Sequence, residues 1–226
     1  MKLIAFDTST EFCSAALWLD GATASREQHA GQSHSELLLP MIDRLLAEAG
    51  LKLAQLDAVA FGEGPGAFTG LRIACGVAQG LAFGADLPVI GVGTLLALAE
   101  AAGGERAVCA IDARMREVYH AAYRRDAGEW RTVHAPSLCA PEQAPELPDG
   151  EWTACGNGFA AYRDALLARY SGRLARIEAG RVPHAREIAR LAAPMLARGL
   201  GIAAERAAPV YLRDKVALRT DERAAR

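Results

Sequence analysis

Apolar and polar positions change rhythm several times along the 226-residue chain, and each change marks an element. Residues 3–6 form a continuous apolar run that stops at Asp7-Thr8-Ser9-Thr10, and residues 12–19 form a second run closed by the turn pair Asp20-Gly21. Runs of this length bounded by turn residues read as buried strands, with 23–29 returning as a third. From 35 to 49 the period lengthens. Leu38, Met41, Ile42, Leu45, Leu46 and Ala49 recur at three and four, which predicts an amphipathic helix stopped by Gly50. Ser33 and Glu36 have capping-box spacing, and Pro40 in the interior predicts a kink or a later start. Residues 56–61 read as a short strand, and 70–83 as a helix with Thr69 at its N-cap and Gly84 as its stop.

That second helix is crowded with small residues, Ala74, Cys75, Gly76, Ala78, Gly80 and Ala82. Each glycine costs about 1 kcal/mol of helix propensity, so another backbone is expected to approach closely. Tight packing on the chain's own sheet and an interface with a partner both satisfy this.

Beyond Pro88, a strand over 89–92 and a helix over 94–102 lead to Gly103-Gly104-Glu105-Arg106, where the pattern restarts. Residues 107–111 are an apolar strand ending in Asp112, followed by a strand over 117–124 and the turn Asp126-Ala127-Gly128. The segments "LIAFDTSTEFCSAALWLDG" and "AVCAIDARMREVYHAAYRRDAG" thus share one order: strand, aspartate, polar turn, strand, acidic-glycine turn. Asp7 and Asp112 stand 105 residues apart. Gly62-Glu63-Gly64 likewise corresponds to Gly156-Asn157-Gly158, which leads into a helix over 159–170. Preserved order with contracted spacing predicts two copies of one topology, lobes 1–105 and 106–226, with the C-terminal segment free to pack back on the first. The proline-rich stretch 135–150 reads as a loop. Residues 185–198 read as a last helix burying Ile188, Leu191, Ala192, Met195 and Leu196 around Pro194. A strand over 210–212 and a frayed end from Arg219 complete the prediction.

A duplicated β-β-β-α-β-α unit with an aspartate after the first strand of each copy is the plan of the actin/hexokinase-like (ASKHA) fold, an α/β fold with two lobes, each a mixed sheet flanked by helices. In that plan backbone N–H groups receive phosphates and carboxylates hold hydrated magnesium. Asp7, Thr8, Gly64, Gly66 and Asp112 are therefore candidate anion or nucleotide contacts. Turn-capping explains the two aspartates equally well. Neither aspartate turn contains a glycine, and "FGEGPGAFTGLR" lacks the lysine of a phosphate-binding loop.

No G-x-S-x-G elbow is present. His29, His34, His120, His134 and His184 show no paired spacing for a metal, so no metal site and no catalytic residue are expected. His34 reads as a surface or interface residue. Five cysteines without a C-x-x-C pair read as buried free thiols. An apolar fraction of 51% and the absence of a run near 20 apolar residues point to a globular domain without a membrane span. The opening MKLIAFD lacks a secretory pattern, so a cytoplasmic location is expected. A formal charge of −2 and a pI near 6.2 lack the footprint of an autonomous nucleic-acid binder.

Taken together, "LIAFDTST", "HSELLLPMIDRLL", "GPGAFTGLRIACGVAQGLA", "DARMREVYHAAY" and "PVYLRDKVA" resemble the TsaB (YeaZ) family, and these segments span nearly the whole chain. Ala67 stands where that family usually has serine, and Gln79 where lysine is common. The resemblance implies a non-catalytic subunit of the system that forms N6-threonylcarbamoyladenosine at position 37 of tRNA. Such a subunit pairs with the transferase TsaD through N-lobe helices and helps recruit the ATPase TsaE. It further implies partner contacts at Leu38, Met41, Ile42 and Leu45 on one helix and at Leu71, Ala74, Cys75 and Ala78 on the other. A homodimer when TsaD is absent, tRNA met only indirectly and no membrane association belong to the same expectation. No cofactor is expected on this subunit, with ATP or ADP and magnesium placed within the complex. The rival readings are an autonomous actin-fold small-molecule kinase or ATPase using Asp7, Asp112 and the glycine loops, and a metallopeptidase, which the missing ligand spacing disfavours.

Overall fold

The computed structural model describes residues 1–213. The first sheet begins with an antiparallel meander, β1 (Lys2–Asp7), β2 (Phe12–Leu19) and β3 (Ala22–His29). It continues through helix α1 (His34–Glu48), strand β4 (Ala58–Gly64), helix α2 (Phe68–Ala85) and strand β5 (Val89–Gly93). Its order is β3-β2-β1-β4-β5, with β1, β4 and β5 parallel. Helix α3 (Thr94–Ala102) leads to the second sheet, built from β6 (Arg106–Asp112), β7 (Val118–Asp126), β8 (Glu129–Cys139), β9 (Trp152–Cys155) and β10 (Leu174–Glu178). Helices α4 (Gly158–Ala161) and α5 (Arg163–Arg169) lie between β9 and β10, and α6 (Ala185–Ala197) follows. The second sheet's order, β8-β7-β6-β9-β10, repeats the first, so the duplicated ASKHA-like α/β architecture is realised in two mixed five-stranded sheets flanked by helices.

Both faces of β1 are covered, which is why its sequence is a continuous apolar run. Ile4 and Phe6 pack under α1 and α2 with Leu38, Ile42, Leu45, Ala74 and Ala78. Leu3 and Ala5 face the other way, onto Ala185, Ile188, Ala189 and Ala192 of α6. Helices are exchanged between halves. Helix α6, late in the chain, covers the first sheet, whereas α3 packs Leu95, Leu98 and Ala102 on Cys109, Ile111 and Tyr119 of the second. The outer face of the second sheet is closed by Trp152, Phe159, Leu166 and Tyr170.

Several local expectations are corrected. Ser33 makes no side-chain cap; its backbone carbonyl instead accepts from Glu36 N at 3.0 Å and Leu37 N at 3.1 Å. Helix α1 starts at His34 and carries Pro40 within it, on its exposed side. The N-cap of α2 is Ala67 rather than Thr69, and the helix runs past Gly84 to a left-handed Asp86. Strand β8 extends to Cys139 through the stretch read as loop; Pro136 is tolerated because β8 is an edge strand and needs fewer ladder donors. The charged strand β10, also an edge, was missed because its residues alternate poorly. The helix read over 159–170 is two short helices broken at Tyr162. Residues 210–212 form no strand, although Val210 N donates to Glu63 O at 2.7 Å. The end from Arg219 lies outside the described residues.

Candidate functional site

Two surfaces answer to the predicted chemistry: the cleft between the sheets and the outward side of α1 and α2. The cleft has a volume of about 720 Å3 and is lined by the β1–β2 turn at Ser9 and Thr10, the start of α2, the β6–β7 turn at Asp112–Met115, Asn157 and the tail at 210–213.

Of the five predicted anion contacts, Gly66 and Asp112 line this cleft, and Asp7, Thr8 and Gly64 do not. Asp7 is 1% exposed. Its Oδ1 accepts from Ser9 N at 3.0 Å and Ser9 Oγ at 2.8 Å, while Oδ2 has no partner and lies where a Gly62 side chain would begin. Burial pushes this carboxyl up to about 6, against the opposing pull of the Ser9 bonds. Thr8 is fully buried and donates from Oγ1 to Gly70 O at 2.7 Å. Asp112 caps its own turn: its carboxylate accepts from Arg114 N at 2.8 Å, Arg114 Nη1 at 3.0 Å and Tyr162 OH at 3.0 Å.

The glycines of "FGEGPGAFTGLR" are explained by the chain's own backbone. A Cβ on Gly66 would stand 2.6 Å from Ser9 O, one on Gly64 the same distance from Val210 O, and one on Gly70 would overlap Thr8 O. Gly64 also holds φ +119°, which side chains rarely adopt. The loop therefore lets α2 seat directly on the β1–β2 turn. Ala67 leaves that helix without a side-chain cap, at the position where serine would supply a hydroxyl. Gln79 Nε2 donates to Ala207 O at 2.9 Å and ties α2 to the tail.

The sequence reading left the C-terminal segment free to pack back on the first lobe but named none of its residues for the cleft. Tyr211 packs on Phe68 and accepts from Arg72 Nε at 3.1 Å, and Arg213 reaches the opposite wall, donating to Ala113 O at 3.0 Å and pairing with Glu117 at 2.7 Å. Nothing local in "PVYLRDKVA" signals contacts this distant in the chain, the Arg72–Tyr211 bond spanning 139 residues.

On the helix pair, the eight residues expected to meet a partner lie on the inward side. Leu38, Met41, Ile42, Leu45, Leu71, Ala74, Cys75 and Ala78 are buried in the chain's own core, because they form the stripe that faces the sheet. His34, expected at the surface, is buried too, its Nε2 bonded to Thr10 O at 2.8 Å. Helix α2 nonetheless has a second apolar stripe. Ile73, Gly76, Val77, Gly80, Phe83 and Gly84 recur at three and four on its outward side; Phe83 is 80% exposed, and a Cβ on any of the three glycines would meet nothing within 4 Å. Leu39 of α1 is exposed as well. The glycines of the helix and those of the loop thus answer to different neighbours.

A family model described as TsaD, tRNA N6-adenosine threonylcarbamoyltransferase, matches residues 24–220. The tRNA threonylcarbamoyladenosine biosynthesis protein TsaB of Escherichia coli K12 is 42% identical over 225 residues, covering 96% of each chain. The chain belongs to the TsaB family. The Haemophilus influenzae TsaB is likewise 42% identical, over 96% of this chain and 95% of its own. Among solved structures, YeaZ from Pseudomonas aeruginosa superposes with a TM-score of 0.87 at 44% identity, covering 93% of this chain and 99% of that one. These TsaB relatives are named for tRNA threonylcarbamoyladenosine biosynthesis. Among the described residues, no three His, Cys, Asp or Glu side chains gather as a metal-ligand set, and no helix is long and apolar enough to cross a membrane.

Proposed function

We propose that this chain is a non-catalytic partner subunit in the formation of N6-threonylcarbamoyladenosine on tRNA, docking on TsaD through the outward side of α2 and its neighbour α1 and helping to recruit TsaE. The observation that carries the reading is the second apolar stripe of α2, where Gly76, Gly80 and Gly84 leave the backbone open beside the exposed Phe83. An exposed apolar face favours burial, and glycines allow a facing helix to approach to backbone contact. The same face would pair two copies of this chain when TsaD is absent. In this reading ATP or ADP with magnesium belongs to the assembled complex.

Co-expression with TsaD tests it. Gly80→Glu is expected to abolish co-elution on size-exclusion chromatography and to stop modification in a reconstituted reaction, with the melting temperature of the isolated chain little changed. Retained co-elution would overturn the docking face. Magnesium-dependent ATP turnover by the isolated chain, lost in Asp7→Ala, would instead favour the kinase reading, against which the burial of Asp7 away from the cleft already weighs.

A further inference from the structure

The net charge of −2 conceals a partition. Residues 1–105 contain 5 Lys and Arg against 12 Asp and Glu, a net of −7, while residues 106–226 contain 20 against 15, a net of +5. The basic half is also where one edge of a sheet collects arginines. Strands β6, β9 and β10 run parallel, so their carboxyl ends open on one edge, the edge whose Asp112 and Asn157 line the cleft. The segments that follow those strands carry Arg114 and Arg116, Arg163, and Arg181 in turn.

The first of these segments is unusual. Arg114, Met115 and Arg116 hold φ values of 62°, 55° and 60°, three successive side-chain-bearing residues in the left-handed region. Each such residue costs about 1–2 kcal/mol, so the surroundings must hold the turn in place. They do so from several directions. Ala113 N donates to Glu117 O and Glu117 N to Arg114 O, both at 3.0 Å, while Asp112 takes the Arg114 amide and Arg213 donates to Ala113 O. What this rigid turn displays is cationic: the Arg114 side chain is 85% exposed, and Met115 is 47% exposed. The carboxylates on this edge, Asp112, Glu117 and Glu178, are each engaged by an arginine, and Asp164 stands exposed beside Arg163. Among the described residues, the Arg116 and Arg163 side chains have neither an ion pair nor a hydrogen bond. Arg114 gives Asp112 one N–H and keeps the rest of its guanidinium in water.

We infer that this arginine edge, centred on the Arg114–Met115–Arg116 turn, is a docking surface for the phosphate backbone of tRNA, resting on the proposed place of the chain in tRNA modification. A guanidinium presents several donors in a plane and suits phosphate oxygens, and arginines spaced along an edge suit a polyanion better than one small ligand. The whole-chain charge excludes an autonomous nucleic-acid binder, but a basic lobe can supplement the grip of a partner held by the acidic lobe. Backbone contacts of this kind orient an RNA without reading its sequence.

The test is a fluorescence-anisotropy titration of labelled tRNA transcript against the full chain assembled with TsaD, at salt concentrations from low to physiological. The double variant R114E/R116E is expected to bind about 10-fold more weakly, with the slope of log K against log salt shallower by about 1.5, as loss of two phosphate contacts requires. The milder R114Q/R116Q should show the same trend at a smaller size. R173E, which breaks a surface pair with Asp149 elsewhere on the lobe, should leave both quantities unchanged. Co-elution with TsaD, recorded in parallel, separates this inference from the docking reading. Unchanged affinity and slope in R114E/R116E with co-elution intact would overturn the inference, as would an equal loss in R173E. Loss of co-elution in R114E/R116E would also overturn it, marking the edge as a protein contact.

Discussion

The two halves repeat one strand order, and in each the aspartate that ends the first strand accepts from the backbone N–H two residues on, but the two carboxylates sit in opposite surroundings. Asp7 is sealed under α6, with one carboxylate oxygen unpartnered, whereas Asp112 is half-buried and every oxygen is taken by Arg114 or Tyr162. Their glycine loops differ as well. Gly66 and Gly70 bring α2 onto the β1–β2 turn, while Gly156 and Gly158 press instead on Ala110 of β6. Where the first half has the 15-residue α1, the second has only a turn of 3-10 helix at Pro141–Gln143. Duplication therefore preserved the sheets and released the edges: the first half built a long helix pair facing outward, and the second a strained arginine turn. One motif position caps its turn in both copies, sealed in the core in the first and lining the cleft in the second.

The sharpest way to break this comparison is at the loop itself. Gly70 is the third residue of α2, where alanine is the better helix former by about 1 kcal/mol. The Cβ of Gly70→Ala would nevertheless overlap the Thr8 carbonyl, and the hydrogen bond from Thr8 Oγ1 to Gly70 O at 2.7 Å leaves the two backbones no room to part. The overlap should win by more than about 4 kcal/mol, seen as a fall of 10 °C or so in melting temperature or as failure to fold. A melting point within a few degrees of the parent would sink the close-approach account.

Next in size is a pair of opposed titrations, one in each half. Asp7 is raised to about 6 from 3.8 by burial, so its contribution is fully present below pH 3.8 and is lost as pH rises through 6. His120, fully buried with Nε2 against Tyr170 OH at 2.7 Å and Nδ1 unpartnered, is lowered from 6.5 to about 4 by burial, with a smaller push from His134. Its neutral ring contributes stability above pH 6.5 that is lost as pH falls through 4. Each shift corresponds to about 3 kcal/mol at most, and the two cancel over much of the same range. Asp7→Asn keeps the acceptor for Ser9, so it should raise stability at pH 8, leave it unchanged at pH 4, and expose a steeper acid loss. His120→Gln should do the reverse, leaving a protein more stable at pH 4.5 than at pH 8. Melting curves across that range decide it, and parallel pH profiles for parent and variants would refute both assignments.

The main elements were legible because their determinants are local. The apolar runs of β1 and β6, the three-and-four spacing of α1 and α6, and the repeated aspartate turns sufficed for a duplicated fold. The site was less legible, because its determinants are contacts between distant residues. No window of sequence tells that Gly70 meets Thr8, that Arg213 crosses to Ala113, or that Leu38 and Ala78 face inward. An apolar stripe announces a buried face without saying whose surface buries it. Helix α2 carries two such stripes, and the stripe chosen from sequence was the one its own sheet covers.

The smallest effect bears on that second stripe. Gly76→Ala and Gly80→Ala place a methyl group where nothing stands within 4 Å, so only helix propensity acts in the isolated chain. Each should therefore stabilise the monomer by up to about 1 kcal/mol, the opposite sign from the same substitution at Gly70 in the same helix. If the outward side is a docking face, that gain is reversed on assembly, because each methyl group holds the facing helix away from the backbone. The expected result is a higher melting temperature for the free chain together with weaker binding to TsaD by isothermal titration. A rise in both would show that the open glycines do not mark a contact between backbones, and would move the docking face elsewhere on the molecule.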